Sequence, residues 1–113
     1  MKPAHEVFTI DDVHGHLVFV DAVTLELIAL LAEEAGEVVQ VCGKILRHGM
    51  YSHHPVTKVT NNESLHRELG DVFAVIQLLE RDLNISMPEI RARARDKHSR
   101  LAPYLHHAKP MKS

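Results

Sequence analysis

Residues 22–48 read AVTLELIALLAEEAGEVVQVCGKILRH, and the spacing of their apolar positions decides the fold. Val23, Leu27, Leu30, Leu31, Val38, Val41 and Ile45 recur at steps of three and four, the period of an α-helix. Asp21 stands where an N-cap is needed, and Gly49 stands where a helix commonly ends in a left-handed residue. Inside this helix Glu34 and Glu37 are spaced i, i+3, so both carboxylates project from one face about one turn apart. They interrupt the seam Leu27, Leu30, Glu34, Glu37, Val41, Lys44 at places where the pattern calls for core residues.

Residues 50–59 carry Tyr51, Ser52, His53, His54 and Pro55, which break the period and read as a loop. Thr60-Asn61-Asn62-Glu63 and Ser86-Met87-Pro88-Glu89 fit capping boxes, predicting a second helix over 61–82 and a third over 87–106. The second helix repeats the anomaly of the first, because Ser64, Glu68, Asp71, Val75 and Leu78 form one seam. Residues 1–20 form an N-terminal arm with short β-branched or aromatic runs at 7–10 and 17–20. Asp11, Asp12, His14 and Gly15 lie between them, so the arm reads as a hairpin or as a helix. Residues 21–108 make the helical core and 109–113 a frayed tail of one 113-residue domain. Gly36 and Gly43 each cost roughly 1 kcal/mol against Ala in a helix interior, which predicts a close neighbour or bound group beside them.

Four acids on two facing seams would be costly if left ionised and unpaired in apolar surroundings. The loop is long enough to fold the second helix back on the first, which brings Glu34, Glu37, Glu68 and Asp71 together. The usual remedy is a divalent cation with oxygen ligands, so the pattern points to a Mg²⁺-dependent phosphate site. The competing reading makes these acids a solvated face with weak surface pairs such as Glu37 with Lys44. A carboxylate-bridged bundle for oxygen chemistry fits less well, since neither acid pair has a His three residues on.

Composition narrows the rest. A net charge of −2 with interspersed signs gives no broad basic surface, which disfavours a nucleic-acid polymer as partner. The single Cys42 forms no internal disulfide, the ten His have no Cys partners in a structural zinc spacing, and no stretch is long and apolar enough to span a bilayer. The expectation is a soluble cytoplasmic protein. Leu65, Leu69, Val72, Phe73, Val75, Ile76, Leu78 and Leu79 make the second helix apolar on more than one face. The fold class is therefore all-α, an antiparallel bundle of three main helices completed by oligomerisation.

EEAGEVVQVCGKILRHG followed by ELGDVFAVIQLL resembles the MazG-like, all-α nucleotide pyrophosphohydrolases, whose pattern E-x-x-E, spacer, E-x-x-D is filled here by Glu34, Glu37, Glu68 and Asp71. The resemblance covers residues 25–79, with a weaker echo over 97–105. It implies hydrolysis of a nucleoside triphosphate between the α and β phosphates to a nucleoside monophosphate and pyrophosphate. It also implies Mg²⁺ (with Mn²⁺ as a substitute) on these four acids, and a homodimer or homotetramer. On that reading Glu34, Glu37 or the adjacent Glu33 accepts the proton of the attacking water. Lys44 and Lys97 meet the phosphates, and Asn61, Asn62 and Tyr104 contact base or sugar. The other reading of the same bundle is a noncatalytic interaction or regulatory module.

Overall fold

Asp21 ends one chain conformation and begins another. Its extended backbone closes a β-strand, while its carboxylate accepts the Thr24 amide at 2.7 Å and caps the helix that follows. The computed structural model describes the backbone of residues 6–11 and 16–112, and side chains from Val20 to Lys112. Strands β1 (Glu6–Asp11) and β2 (His16–Asp21) pair antiparallel, with Phe8 opposite Phe19 and Ile10 opposite Leu17. Of the two readings of the N-terminal arm, the hairpin is the one formed; the turn residues Asp12, His14 and Gly15 lie outside the described residues.

Helix α1 spans Ala22–His48 and α2 spans Asn61–Asp82, with the expected limits. The Thr60 hydroxyl accepts the Glu63 amide at 3.1 Å, as the capping box requires. Gly49 follows α1 with φ +90°, a conformation that L side chains rarely adopt. After α2, Leu83 donates its amide to the Leu79 carbonyl, and Asn84 takes φ +58°, the left-handed region that Asn tolerates.

The two helices run antiparallel and divide their shared seam into three levels. Leu27 packs with Val75 and Leu79 at one end, all three buried, with Val23, Leu30, Leu31, Leu78 and Leu83 around them. The acid pairs sit at the middle level. Lys44 and Asn61 mark the third, next to the loop. A core of so few residues leaves little to spare, and truncating Leu79, only 5% exposed, removes one of its three centres. Leu79→Ala is expected to lower stability by about 2–5 kcal/mol, read from the midpoint of urea unfolding.

Residues 84–113 form a separate compact unit. Its helix α3 spans Met87–Leu101, capped by the Ser86 hydroxyl accepting the Glu89 amide at 3.2 Å. The expected extension to His106 does not occur, because α3 gives way to a 3₁₀ turn over Ala102–Tyr104. Pro103 explains the break: it lacks the amide that would bond to the Ser99 carbonyl, and its ring crowds that oxygen.

The expectation for the glycines also needs correcting. A Cβ at Gly36 would meet nothing within 4 Å, and one at Gly43 would meet only the mobile end of Arg47, at 3.4 Å. Among the described residues nothing requires either glycine. Both lie instead on the outer side of α1, in a stripe with Leu25, Ile28, Ala32, Val39 and Leu46. Val39 is 69% and Leu46 87% exposed, so α1 is apolar on the side away from α2 as well as toward it.

Candidate active site

Each helix contributes one carboxylate pair, and the antiparallel register sets them face to face. From Glu34, Glu37, Glu68 and Asp71 one oxygen each can be chosen so that all four lie within 4.8 Å of one another. Glu34, Glu37 and Glu68 are half-buried, whereas Asp71 is exposed. The seam therefore does not bury all four acids, as its pattern suggested; the cluster opens to solvent on the Asp71 side.

The electrostatics record the crowding. Glu34 has its pKa raised, first by burial and then by the charges of Glu37 and Asp71. Glu68 is also raised, first by a proton-sharing contact with Glu37, then by burial and by the Glu37 and Asp71 charges. Oε2 of Glu34 and Oε2 of Glu68 are shielded from solvent and receive no hydrogen bond from the described residues. Buried polar atoms are nearly always partnered, so two such oxygens on members of one acidic cluster call for a positive species beside them. Four carboxylate oxygens within 4.8 Å of one another are close enough to surround a single cation. The donor set fits a hard cation, being all oxygen and all anionic.

Toward the loop, the same two helices form a cleft of about 340 Å³ that none of the four acids lines, with Ser64 of its wall one turn before Glu68. Lys44 and His48 line it from α1, Asn61, Ser64 and Arg67 from α2, and Ser52, His53, His54, Thr57 and Val59 from the loop. The loop is tied down rather than slack. Asn61 donates its side-chain amide to the Gly49 carbonyl at 2.9 Å and its backbone amide to the Ser52 carbonyl at 3.0 Å. The His54 ring nitrogen Nδ1 accepts the Val56 and Thr57 amides at 3.1 and 3.3 Å, which places the proton of the neutral ring on Nε2. Lys58 turns the chain with φ +63°.

Of the residues singled out by sequence, the four acids meet, and Lys44 and Asn61 share the cleft. Glu33 is exposed and outside the four-acid group, though its charge adds to the raised pKa of Glu34. Asn62 is engaged in backbone bonds, its amide to the Met50 carbonyl and its carbonyl to the His66 ring, and does not line the cleft. Lys97 and Tyr104 are exposed in the C-terminal unit, on α3 and on the 3₁₀ turn. Sequence reasoning missed Ser64 and Arg67 as cleft residues. The signal was present, because Ser64 precedes Glu68 by one helical turn on the same seam.

A family model for the MazG nucleotide pyrophosphohydrolase domain matches residues 23–106, a span that includes both acid pairs and the cleft. The chain belongs to this family. No curated protein and no solved structure matches it. MazG membership accounts for an acidic cluster that would be hard to justify as structure alone: the family acts on nucleotide anhydrides and is typically metal-dependent. Among the described residues no helix is long and apolar enough to cross a membrane.

Proposed function

We propose that this MazG domain is a Mg²⁺-dependent nucleoside triphosphate pyrophosphohydrolase that cleaves between the α and β phosphates. The observation that carries the reading is the convergence of four carboxylates, two with unpartnered buried oxygens, on the same two helices that give Lys44 and Arg67 to the cleft. Glu34, Glu37, Glu68 and Asp71 would hold the cation, with Mn²⁺ as a substitute. When bound, it polarises a phosphoryl oxygen and lowers the pKa of an attacking water.

The chain's own residues supply the rest. Lys44 and Arg67 neutralise the polyphosphate as it lies along the cleft, and the tied loop keeps that wall in place. A carboxylate of α1, among Glu33, Glu34 and Glu37, accepts the proton as water adds to the α phosphorus. The bond from that phosphorus to the bridging oxygen breaks, and pyrophosphate leaves with the electron pair. The substrate is a nucleoside or deoxynucleoside triphosphate of a cytoplasmic pool. Its base and sugar reach the loop side of the cleft, near Asn61.

The outer stripe of α1, together with exposed Leu69 and Phe73 on α2, supports a homo-oligomer, since helices apolar on two sides are stable only when both are covered. Gly36 and Gly43 then serve close approach of a second copy's helix. Val39→Glu is expected to convert a dimer or tetramer to monomer in sedimentation at micromolar concentration. A wild-type chain that sediments as a monomer contradicts the assignment.

The functional test is a panel of canonical and modified NTPs and dNTPs with Mg²⁺, followed by coupled detection of pyrophosphate. Release on at least one nucleotide, abolished by EDTA, is expected. Absence of release on all of them favours a noncatalytic module.

A further inference from the structure

We propose that the C-terminal unit, residues 84–113, is a binding surface for the phosphodiester backbone of a nucleic acid. The whole-chain balance of −2 disfavours such a partner, but it averages two units of opposite sign. Residues 84–113 carry seven Lys or Arg against two acids, Glu89 and Asp96, whereas residues 1–83 carry six against thirteen. Charge segregated in this way is the electrostatic footprint of a polyanion site.

The arrangement on α3 sharpens the reading. Asp96 is already engaged, by Arg100 at 2.9 Å and Arg93 at 3.4 Å. Arg91 and Arg95 have no acidic partner among the described residues and are exposed. With His98 they follow at i, i+4 and i+7 on one side of the helix, spanning about 10 Å at 1.5 Å per residue. Arg91 and Arg95 themselves stand one turn apart, about 6 Å at 1.5 Å per residue, a spacing at which two guanidinium groups can meet neighbouring phosphates of one strand. The C-terminal segment folds back beside it: Lys112 and Met111 line a cleft of about 290 Å³ with Arg95, Asp96, His98 and Ser99, the Asp96 carboxylate being the one already held by Arg93 and Arg100. The cations on the helix are mostly Arg, whose planar guanidinium grips phosphate in bidentate fashion.

Other polyanionic surfaces fit less well. A helix lying on an anionic membrane needs a broad apolar face, and α3 offers only Met87, Ile90, Ala94 and Leu101, with no aromatic residue. Docking on the acidic unit of a second copy would satisfy charge, but a surface carboxylate layer lacks the regular row of phosphates that the evenly exposed Arg91 and Arg95 can follow.

The experiment uses the full chain in EDTA, so that any metal at the carboxylates is removed. Fluorescence anisotropy is followed with labelled mixed-sequence single-stranded RNA, single-stranded DNA and duplex DNA of about 24 nucleotides. Binding of at least one polymer is expected at 50 mM KCl, and the three arms identify which. For three cationic contacts on a single strand, from Arg91, Arg95 and Lys112, the log–log salt slope is about −2, or about 20-fold weaker binding at 200 mM. The Arg91→Gln/Arg95→Gln double variant keeps good helix formers on an exposed face and is expected to reduce the slope to about −0.7, with its circular dichroism unchanged. The proposal is overturned by no binding at 50 mM, or by a double variant that binds like the wild type. It is equally overturned if the chain instead floats with phosphatidylserine vesicles or forms salt-sensitive assemblies lost in the double variant, with no affinity for any of the three polymers.

Discussion

Glu37→Gln is expected to cut pyrophosphate release by at least about a hundredfold while leaving the helices intact. Glu37 is the hub of the cluster, since it perturbs both Glu34 and Glu68 through charge and through shared-proton contacts. The amide keeps the size and shape of the acid but removes a negative ligand. With fewer like charges, the metal-free variant should melt no lower than the wild type. Steady-state kinetics and thermal melts in EDTA, run on one preparation, separate lost chemistry from lost folding. Asp71→Asn should behave similarly in kinetics, with a smaller change in the metal-free melt because Asp71 is exposed.

The second expected result is a reversal in how stability depends on pH. Glu34 and Glu68 have folded pKa values above their unfolded ones, so the stability they confer is fully present below the unfolded carboxylate pKa and is lost as pH rises through the folded values. In EDTA, the Glu68→Gln variant should therefore gain on the wild type at pH 8 and lose that advantage at pH 5. Asp21 and Asp82 do not interfere, because their pKa values are lowered, by Thr24 and Arg81 respectively. Their contributions are lost only as pH falls through those lowered values. A bound cation competes with the same protons, so Mg²⁺ should raise the melting temperature of the wild type more at pH 8 than at pH 5. Differential scanning fluorimetry at both pH values, with and without Mg²⁺, checks the sign. Equal Mg²⁺ shifts at the two pH values would remove the carboxylates as the ligands.

Those expectations rest on features of different legibility. The limits of α1 and α2 can be read from single residues, Asp21, Gly49 and Thr60, because caps act within one turn. The C-terminus of α3 was readable too, since Pro103 stands inside the periodic run that suggested an extension to His106. The strands at 6–11 and 16–21 were ambiguous because short β-branched runs do not distinguish strand from helix without their pairing partner. The four acids were legible as a group because each pair sits on an apolar seam, and two seams of one hairpin must face each other. The exposure of Asp71 was not, since it depends on where the groove opens. The cleft is the least legible part. Its wall comes from His53, His54 and Thr57 in a loop held by backbone bonds to residues several positions away, and no local pattern encodes that closure. The charge segregation between the two units needed only counting, but a whole-chain average conceals it.

The most direct measurement of the central claim is ³¹P NMR of a turned-over nucleoside triphosphate in Mg²⁺. Nucleoside monophosphate and pyrophosphate should appear in equal amounts, with no orthophosphate, and neither should form with Glu37→Gln. Nucleoside diphosphate with orthophosphate, or undiminished turnover in that variant, would contradict the assignment of α–β cleavage to the Glu34, Glu37, Glu68 and Asp71 cluster.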